Sequence, residues 1–224
     1  MNLLSFSEFL NEGLHDKGSH KVVYLVGGPG SGKSFVAKGS MSGLGLKRVD
    51  SDTEFERRMH KQGLPTTPEN IYSPKGQAIR DGAKKVVAGQ ESLYKHNRLG
   101  MIIDGTGKDF DKIKTHSENM RSLGYETHMV FVNTSLDRAK ERNRMRPRAL
   151  PDSEVESMHS TVQNNLGRFQ SHFGNNFHIV DNTDSGDDNQ KTLLKLHKRV
   201  RSIVNTPAQT PEAIKWRESQ KAAK

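Results

Sequence analysis

The chain has 224 residues, which suits one α/β domain of ordinary size with extensions at either end. The lack of any cysteine excludes disulfides, thiolate metal sites and a cysteine nucleophile, and no apolar run approaches the ~20 residues of a membrane helix. With no such run no membrane partner is expected, and a net charge of +9 with a pI near 9.7 points toward polyanionic partners, nucleic acid or phosphorylated metabolites.

Residues 1–20 read as an N-terminal appendage. Leu3, Phe6 and Leu10 recur at helical spacing until Gly13 and Asp16-Lys17-Gly18-Ser19 break the pattern. This start has no basic cluster and is interrupted by Glu8, unlike a secretory signal, so a cytoplasmic location is expected. Residues 22–26 form an apolar run that predicts a buried strand, and residues 46–49 a short second one. The polar stretch 68–97 is mostly helical in character. Residues 101–103 predict a third strand, 110–123 a helix stopped by Gly124, and 128–132 a fourth strand. Thr134 and Asp137 have the spacing of a capping box. Residues 151–173 predict one helix, 177–180 a fifth strand and 193–204 a last core helix. Residues 205–224, with two Thr-Pro steps and the single tryptophan Trp216, predict a polar tail that is either disordered or a docking arm. Only 32% of residues are hydrophobic, so the two ends are expected to add little to the core. Five strands alternating with helices imply a three-layer α/β fold over residues 21–204, with a mostly parallel sheet covered on both faces.

The most informative motif is Gly27-Gly28-Pro29-Gly30-Ser31-Gly32-Lys33-Ser34, which satisfies G-x-x-x-x-G-K-[ST] directly after a predicted strand, with Phe35 opening a helix. Glycines let successive backbone amides curl around anionic oxygens, and the helix N-terminus adds positive potential. Gly28 to Phe35 is therefore the expected nucleoside-triphosphate segment, with Lys33 on the β- and γ-phosphates and Ser34 on Mg²⁺. Ile102-Ile103-Asp104 is an apolar strand ending in an acid, the expected second Mg²⁺ group. Asp50-Ser51-Asp52 ends the second strand. Read as extended chain, it puts both carboxylates on one side, with Asp52 nearer an acceptor hydroxyl and able to take its proton; the same residues also suit a helix N-cap. Between 137 and 148, six cations (Arg138, Lys140, Arg142, Arg144, Arg146, Arg148) face only Asp137 and Glu141, a local +4. Such a run suits a phosphate-closing lid, a nucleic-acid patch or a solvated helix face. The ten histidines make no metal-binding spacing.

These residues resemble the P-loop kinases of the zeta-toxin and polynucleotide-kinase branch, over about residues 21–182. Val49-Asp50-Ser51-Asp52-Thr53 with Phe55 resembles the zeta-toxin segment whose second acid is the substrate-binding base, which implies that role for Asp52. Arg142-Asn143-Arg144-Met145-Arg146 with Ala149-Leu150-Pro151 resembles the phage-type polynucleotide kinase lid; it implies Arg146 on the transferring phosphoryl group and Arg142 near the adenine. Polynucleotide kinases carry an arginine three residues after the base, where this chain has Phe55. The resemblance implies a nucleoside-kinase-like P-loop fold with an arginine-bearing lid, ATP and Mg²⁺. The implied activity is phosphoryl transfer to a hydroxyl on a nucleotide-sugar, ahead of a nucleic-acid 5′-hydroxyl; a nucleotide-binding head protein without kinase activity is the third reading. Phe9-Leu10-Asn11-Glu12-Gly13 resembles the leader of tailed-phage internal head proteins, which implies cleavage after Glu12, a capsid partner and packaging in a virion.

Overall fold

The computed structural model describes residues 16–146, 149–183 and 187–222. The leader-like segment and its expected cleavage at Glu12 lie outside them, as does Arg148.

Five strands, β1 (Lys21–Val26), β2 (Lys47–Val49), β3 (Met101–Gly105), β4 (Glu126–Asn133) and β5 (Phe177–Asp181), form one sheet in the order β2-β3-β1-β4-β5. All four pairings are parallel, a stricter arrangement than the mostly parallel sheet expected. β1 is central and every one of its residues is buried, so a run such as KVVYLV must satisfy two apolar layers at once. Alternation divides it. Val22, Tyr24 and Val26 join Phe131, Phe169 and Phe173 on one face; Val23 and Leu25 join Val36, Leu196 and Val200 on the other.

Helix α1 (Lys33–Ser40) follows β1, and α2 (Ser51–Lys61), α3 (Pro68–Tyr72) and α4 (Pro74–His96) lie between β2 and β3. These last three enclose a small core of their own, with Phe55, Met59, Ile71, Ile79 and Ala83. α4 starts cleanly because Pro74 occupies its first turn and Ser73 Oγ accepts from the Gly76 amide at 3.0 Å. α5 (Phe110–Ser122) joins β3 to β4, and α6 (Leu136–Arg144) follows β4. The cap of α6 is Ser135, one residue beyond the expected Thr134, and its side chain accepts from Arg138 N. The single helix expected over 151–173 is two, α7 (Asp152–Asn164) and α8 (Leu166–Phe173). Asn165 makes the break: its Nδ2 donates to the carbonyls of Gly107 and Lys108, each at 3.0 Å, and so pins the joint to the loop after β3.

α9 (Asp187–Asn205) covers the α1 side of the sheet, and α10 (Pro211–Ala222) docks at the amino ends of the strands. Thr210 Oγ1 donates to Gly124 O at 2.6 Å, Ala213 is fully buried, and Trp216 meets the His20 ring edge-on at 5.1 Å. Of the residues assigned to the N-terminal appendage, Ser19 and His20 are buried beside these contacts. No helix among the described residues is long and apolar enough to cross a membrane.

Candidate active site

The phosphate loop occupies the turn from β1 into α1, and its glycines are required by close approach. Gly30 and Gly32 have φ of +73° and +86°, and a Cβ on Gly30 would lie 2.1 Å from the Ala139 carbonyl oxygen. Gly32 is the N-cap of α1 and offers no side-chain acceptor, so the amides of the first turn have no capping partner. Ser31 Oγ is buried without a hydrogen-bond partner among the described residues. A cradle of left-handed glycines, uncapped amides and an orphaned hydroxyl fits an anionic polyphosphate.

Lys33 donates to Gly27 O at 2.7 Å, which folds its stem back over the loop. Part of that stem is at the surface, but the ammonium is enclosed, and burial pushes its pKa below the ordinary lysine range. Asp104 opposes that shift most strongly, Arg146 adds to it, and Asp52 and Asp50 oppose it in turn. Five of the residues singled out from the sequence, Lys33, Asp50, Asp52, Asp104 and Arg146, therefore share one electrostatic environment at the carboxyl ends of the strands.

Strand register explains the meeting. Leu25 pairs with Asp104 and Val49 with Ile103, so the ends of β1, β2 and β3 deliver the loop, Asp104 and Asp50 side by side. The expectation that Asp50 and Asp52 alternate along an extended segment is corrected. The helix starts at Ser51, and Asp50 caps it by accepting from the amides of Asp52 and Thr53 at 2.9 and 3.1 Å and from Thr53 Oγ1 at 2.6 Å. Asp52 stands exposed in the first turn of α2, with no hydrogen bond to its carboxylate among the described residues. Asp50 is the structural acid, Asp52 the available one.

Sequence reading passed over Arg48. One of its guanidinium nitrogens sits 2.8 Å from Asp50 and 2.7 Å from Asp104 and bridges them. Burial raises the Asp104 carboxyl above its usual range; Lys33 lowers it, Asp50 raises it, and Arg48 lowers it. Replacing Arg48 by Met is expected to raise the Asp104 carboxyl pKa further, read by ¹³C carboxyl titration. Adding Asp50→Asn should partly reverse the rise by removing the like charge. No rise in Arg48→Met would mean that the bridge does not control Asp104.

The arginine run divides by partner. Arg138 pairs with Glu141 at 2.6 Å, Lys140 with Glu156 and Arg144 with Asp152, so those three behave as a braced helix face. Arg142 Nη1 instead donates to Asn182 O at 2.6 Å and lies beside Gly32. Arg146 is exposed and has no ion-pair partner among the described residues. The segment carrying it is fastened at both ends by Asn143, which is fully buried, donates to Leu150 O at 2.8 Å and accepts from Leu150 N at 3.1 Å. Asn182, also passed over, donates to Ser31 O at 2.8 Å and so ties the end of β5 to the loop. Phe35 is half-exposed beside Ser34.

Ser34 is exposed at the start of α1, and no group of three or more His, Cys, Asp or Glu side chains arranged for a metal exists among the described residues. One hydroxyl and one carboxylate suit an ion that takes its remaining ligands from phosphates and water, as Mg²⁺ does. Asp104 also forms part of the wall of a pocket of about 500 Å³ between β3, α4 and α5. Asp104 thus belongs both to the pocket wall and to the electrostatic environment of Lys33.

Residues 22–165 match a family profile described as an AAA domain, AAA_33. The chain belongs to that family of P-loop kinases. A curated relative is the shikimate kinase of Persephonella marina (strain DSM 14350 / EX-H1), 32% identical over 121 residues, which are 54% of this chain and 65% of that kinase. The match therefore covers a little under two thirds of the relative's length. Two solved structures share the fold. The PezAT chromosomal toxin-antitoxin system of Streptococcus pneumoniae gives a TM-score of 0.55 at 16% identity, over 90% of this chain and 98% of that one. The Pnkp1/Rnl/Hen1 RNA repair complex gives 0.50 at 20% identity, over 66% and 46%. The AAA_33 region runs from β1 through α7 and takes in Lys33, Asp52, Asp104, Arg142 and Arg146; Asn182 lies beyond it.

Proposed function

We propose that this AAA_33 protein is an ATP- and Mg²⁺-dependent phosphotransferase that moves the γ-phosphate to a hydroxyl of a small molecule, with nucleotide-sugar acceptors ahead of nucleic-acid 5′-hydroxyls. The observation that carries the reading is the cradle of left-handed glycines and uncapped amides with the Lys33 ammonium held over it at Gly27 O, in the electrostatic field of Asp104, Asp52, Asp50 and Arg146. In this reading the loop amides and Lys33 hold the β- and γ-phosphates, Arg142 flanks the nucleotide beside Gly32, and Ser34 with Asp104 would hold Mg²⁺, which supplies charge neutralisation across the phosphates. Asp52 accepts the proton of the incoming hydroxyl as its oxygen bonds to the γ-phosphorus and the bond to the ADP oxygen breaks. Arg146 donates to the equatorial oxygens as negative charge redistributes. Phe55 supports the small-molecule preference. It is buried in the α2–α4 core beneath Arg80, whose guanidinium lies 4.9 Å from its ring, and it presents no cation to a polynucleotide.

The test is transfer of labelled γ-phosphate, with Mg²⁺, to UDP-N-acetylglucosamine, 5′-hydroxyl DNA and 5′-hydroxyl RNA in parallel, with Asp52→Ala as control. Label on one acceptor, reduced by about 10²–10⁴-fold in the variant at unchanged nucleotide affinity, is expected. Free phosphate alone, equal in both proteins, would replace the kinase with a hydrolase or a nucleotide-binding protein.

A further inference from the structure

The acceptor-side pocket carries a charge pattern that the phosphotransferase chemistry does not require. Its wall is rigid. Tyr24 Oη and His116 Nδ1 are 2.6 Å apart, His116 Nε2 is 2.8 Å from Glu91 Oε1, and the chain anchors in the central strand. Val49, Val87 and Ile103 give it an apolar part fit for a ring or carbon skeleton. The acids along it are already engaged. Asp104 faces Arg48 and Lys33, Glu91 faces Lys95 at 2.9 Å as well as His116, and Asp109 caps α5 by accepting from Lys112 N at 3.0 Å.

Three lysines line the same pocket, Lys84 from α4, Lys108 from the β3–α5 loop and Lys112 from the first turn of α5, and all three are exposed. Lys108 and Lys112 have no carboxylate partner among the described residues, and Lys84 has only the exposed Asp81 at 3.5 Å. The backbone that carries Lys108 is fixed from two sides. Asn165 holds the Gly107 and Lys108 carbonyls, and Gly107, at φ +80°, packs so tightly on β1 that a Cβ would lie 2.2 Å from Val26 Cγ1. The pocket thus joins an apolar floor to a lysine-bearing rim in which, among the described residues, only Lys84 has a carboxylate partner, the exposed Asp81.

We infer that this pocket selects a compact acceptor bearing a phosphate- or carboxylate-type anion at a distance from its reactive hydroxyl, and that Lys84, Lys108 and Lys112 read the anion. The inference rests on the phosphotransferase reading and adds the chemical class of its substrate. The volume of about 500 Å³ lies within the range of small-molecule sites and holds a phosphorylated sugar or a short nucleotide-sugar. Neutral polyols would leave the amines solvated and gain nothing from them, so discrimination falls on charge.

Calorimetric titration of pyrophosphate into the full chain, already saturated with excess Mg²⁺ and a non-hydrolysable ATP analogue, reads the pocket with no transfer step. The expected result is one saturable isotherm, weakened at least tenfold in the double variant Lys108→Met/Lys112→Met and changed less than twofold in Lys198→Met, a lysine of α9 that does not line the pocket. Absence of saturation, or equal weakening by Lys198→Met, would overturn the inference and leave the kinase reading standing. Conversely, intact lysine-dependent binding with no labelled product on any acceptor would retain the anion site and remove the phosphotransferase. A third arm uses a 5′-hydroxyl DNA dodecamer. If it binds more tightly than pyrophosphate, and the same lysines control a loss of more than tenfold between 50 and 200 mM salt, they belong to a nucleic-acid surface and the small-molecule assignment fails.

Discussion

Replacing Lys33 by Met is expected to lower phosphoryl transfer by about 10³-fold or more, the scale of removing a preorganised charge from a water-poor site. Methionine keeps the length of the stem, so the variant removes the ammonium and little of the packing. The effect should be this large because the cation is held in place before any nucleotide arrives: Nζ is fixed at Gly27 O, within the electrostatic field of Asp104, Asp52 and Asp50. Lysine to arginine should not rescue, since a planar guanidinium cannot fit the turn that Gly27 and Gly30 bring within contact distance of Val132 and Ala139. A second readout separates charge from shape. Burial holds the Lys33 pKa below the ordinary lysine range, while Asp104 pushes it back up. Removing that carboxylate with Asp104→Asn should therefore lower it further and shift the alkaline limb of kcat/KM, which reports the free enzyme, to lower pH. An unchanged limb would mean that some other group sets it. Transfer by Lys33→Met within tenfold of the parent would remove Lys33 from the catalytic machinery.

Legibility from sequence followed locality. The phosphate loop is contiguous and its glycines answer to backbone geometry within eight residues, so Gly27 to Ser34 could be read directly. The central strands β1 and β4 were legible because a sheet buried on both faces needs apolar runs such as 22–26 and 128–132. The rest of the site depends on partners remote in the chain. Arg48 acquires its meaning from Asp104, 56 residues away, and Asn182 from Ser31, 151 residues away; neither spacing leaves a trace in the local pattern. Asn143 looked like one polar residue within a basic run, and its clamp on Leu150 appears only when the chain turns back. The Asp50–Asp52 segment misled for a different reason. Asp-Ser-Asp-Thr satisfies both an extended strand end and an N-cap, and the cap prevails because Asp50 can satisfy two otherwise unpaired amides of α2. Likewise, Asn165 interrupts what periodicity read as one helix, since its side chain is committed to the β3–α5 loop.

Acid should unfold this protein early, through histidines outside the site. His20 and His128 are buried at the amino ends of β1 and β4, and burial, with nearby Arg98 for His20 and Lys21 for His128, lowers each pKa to about 4. The unfolded chain binds a proton at each near pH 6.5, the native chain only near 4. Stability contributed by the neutral rings is therefore complete above pH 6.5, declines as pH falls through that interval, and is lost below 4. Each histidine accounts for about 3 kcal/mol over the interval, and together they approach the ~5–15 kcal/mol that stabilises an ordinary domain. His178, whose ring stacks on His128 at 6.4 Å, and His172 are lowered in the same direction by burial and add to the slope. Glu91, held near 2 first by its hydrogen bond to His116, removes a further share only below pH 4.5. Urea unfolding at half-unit steps from pH 7.5 to 4 should show the free energy falling steadily below 6.5. The sharpest check is His128→Phe. Both nitrogens of His128 are buried without hydrogen-bond partners among the described residues, so phenylalanine removes a polar cost and a titrating group together. The variant should equal or exceed the parent at pH 7.5 and lose about 3 kcal/mol less on the way to pH 4. Parallel curves for the two proteins would mean that His128 takes up its proton at an ordinary pKa within the native fold, and the acid sensitivity would then have to originate elsewhere.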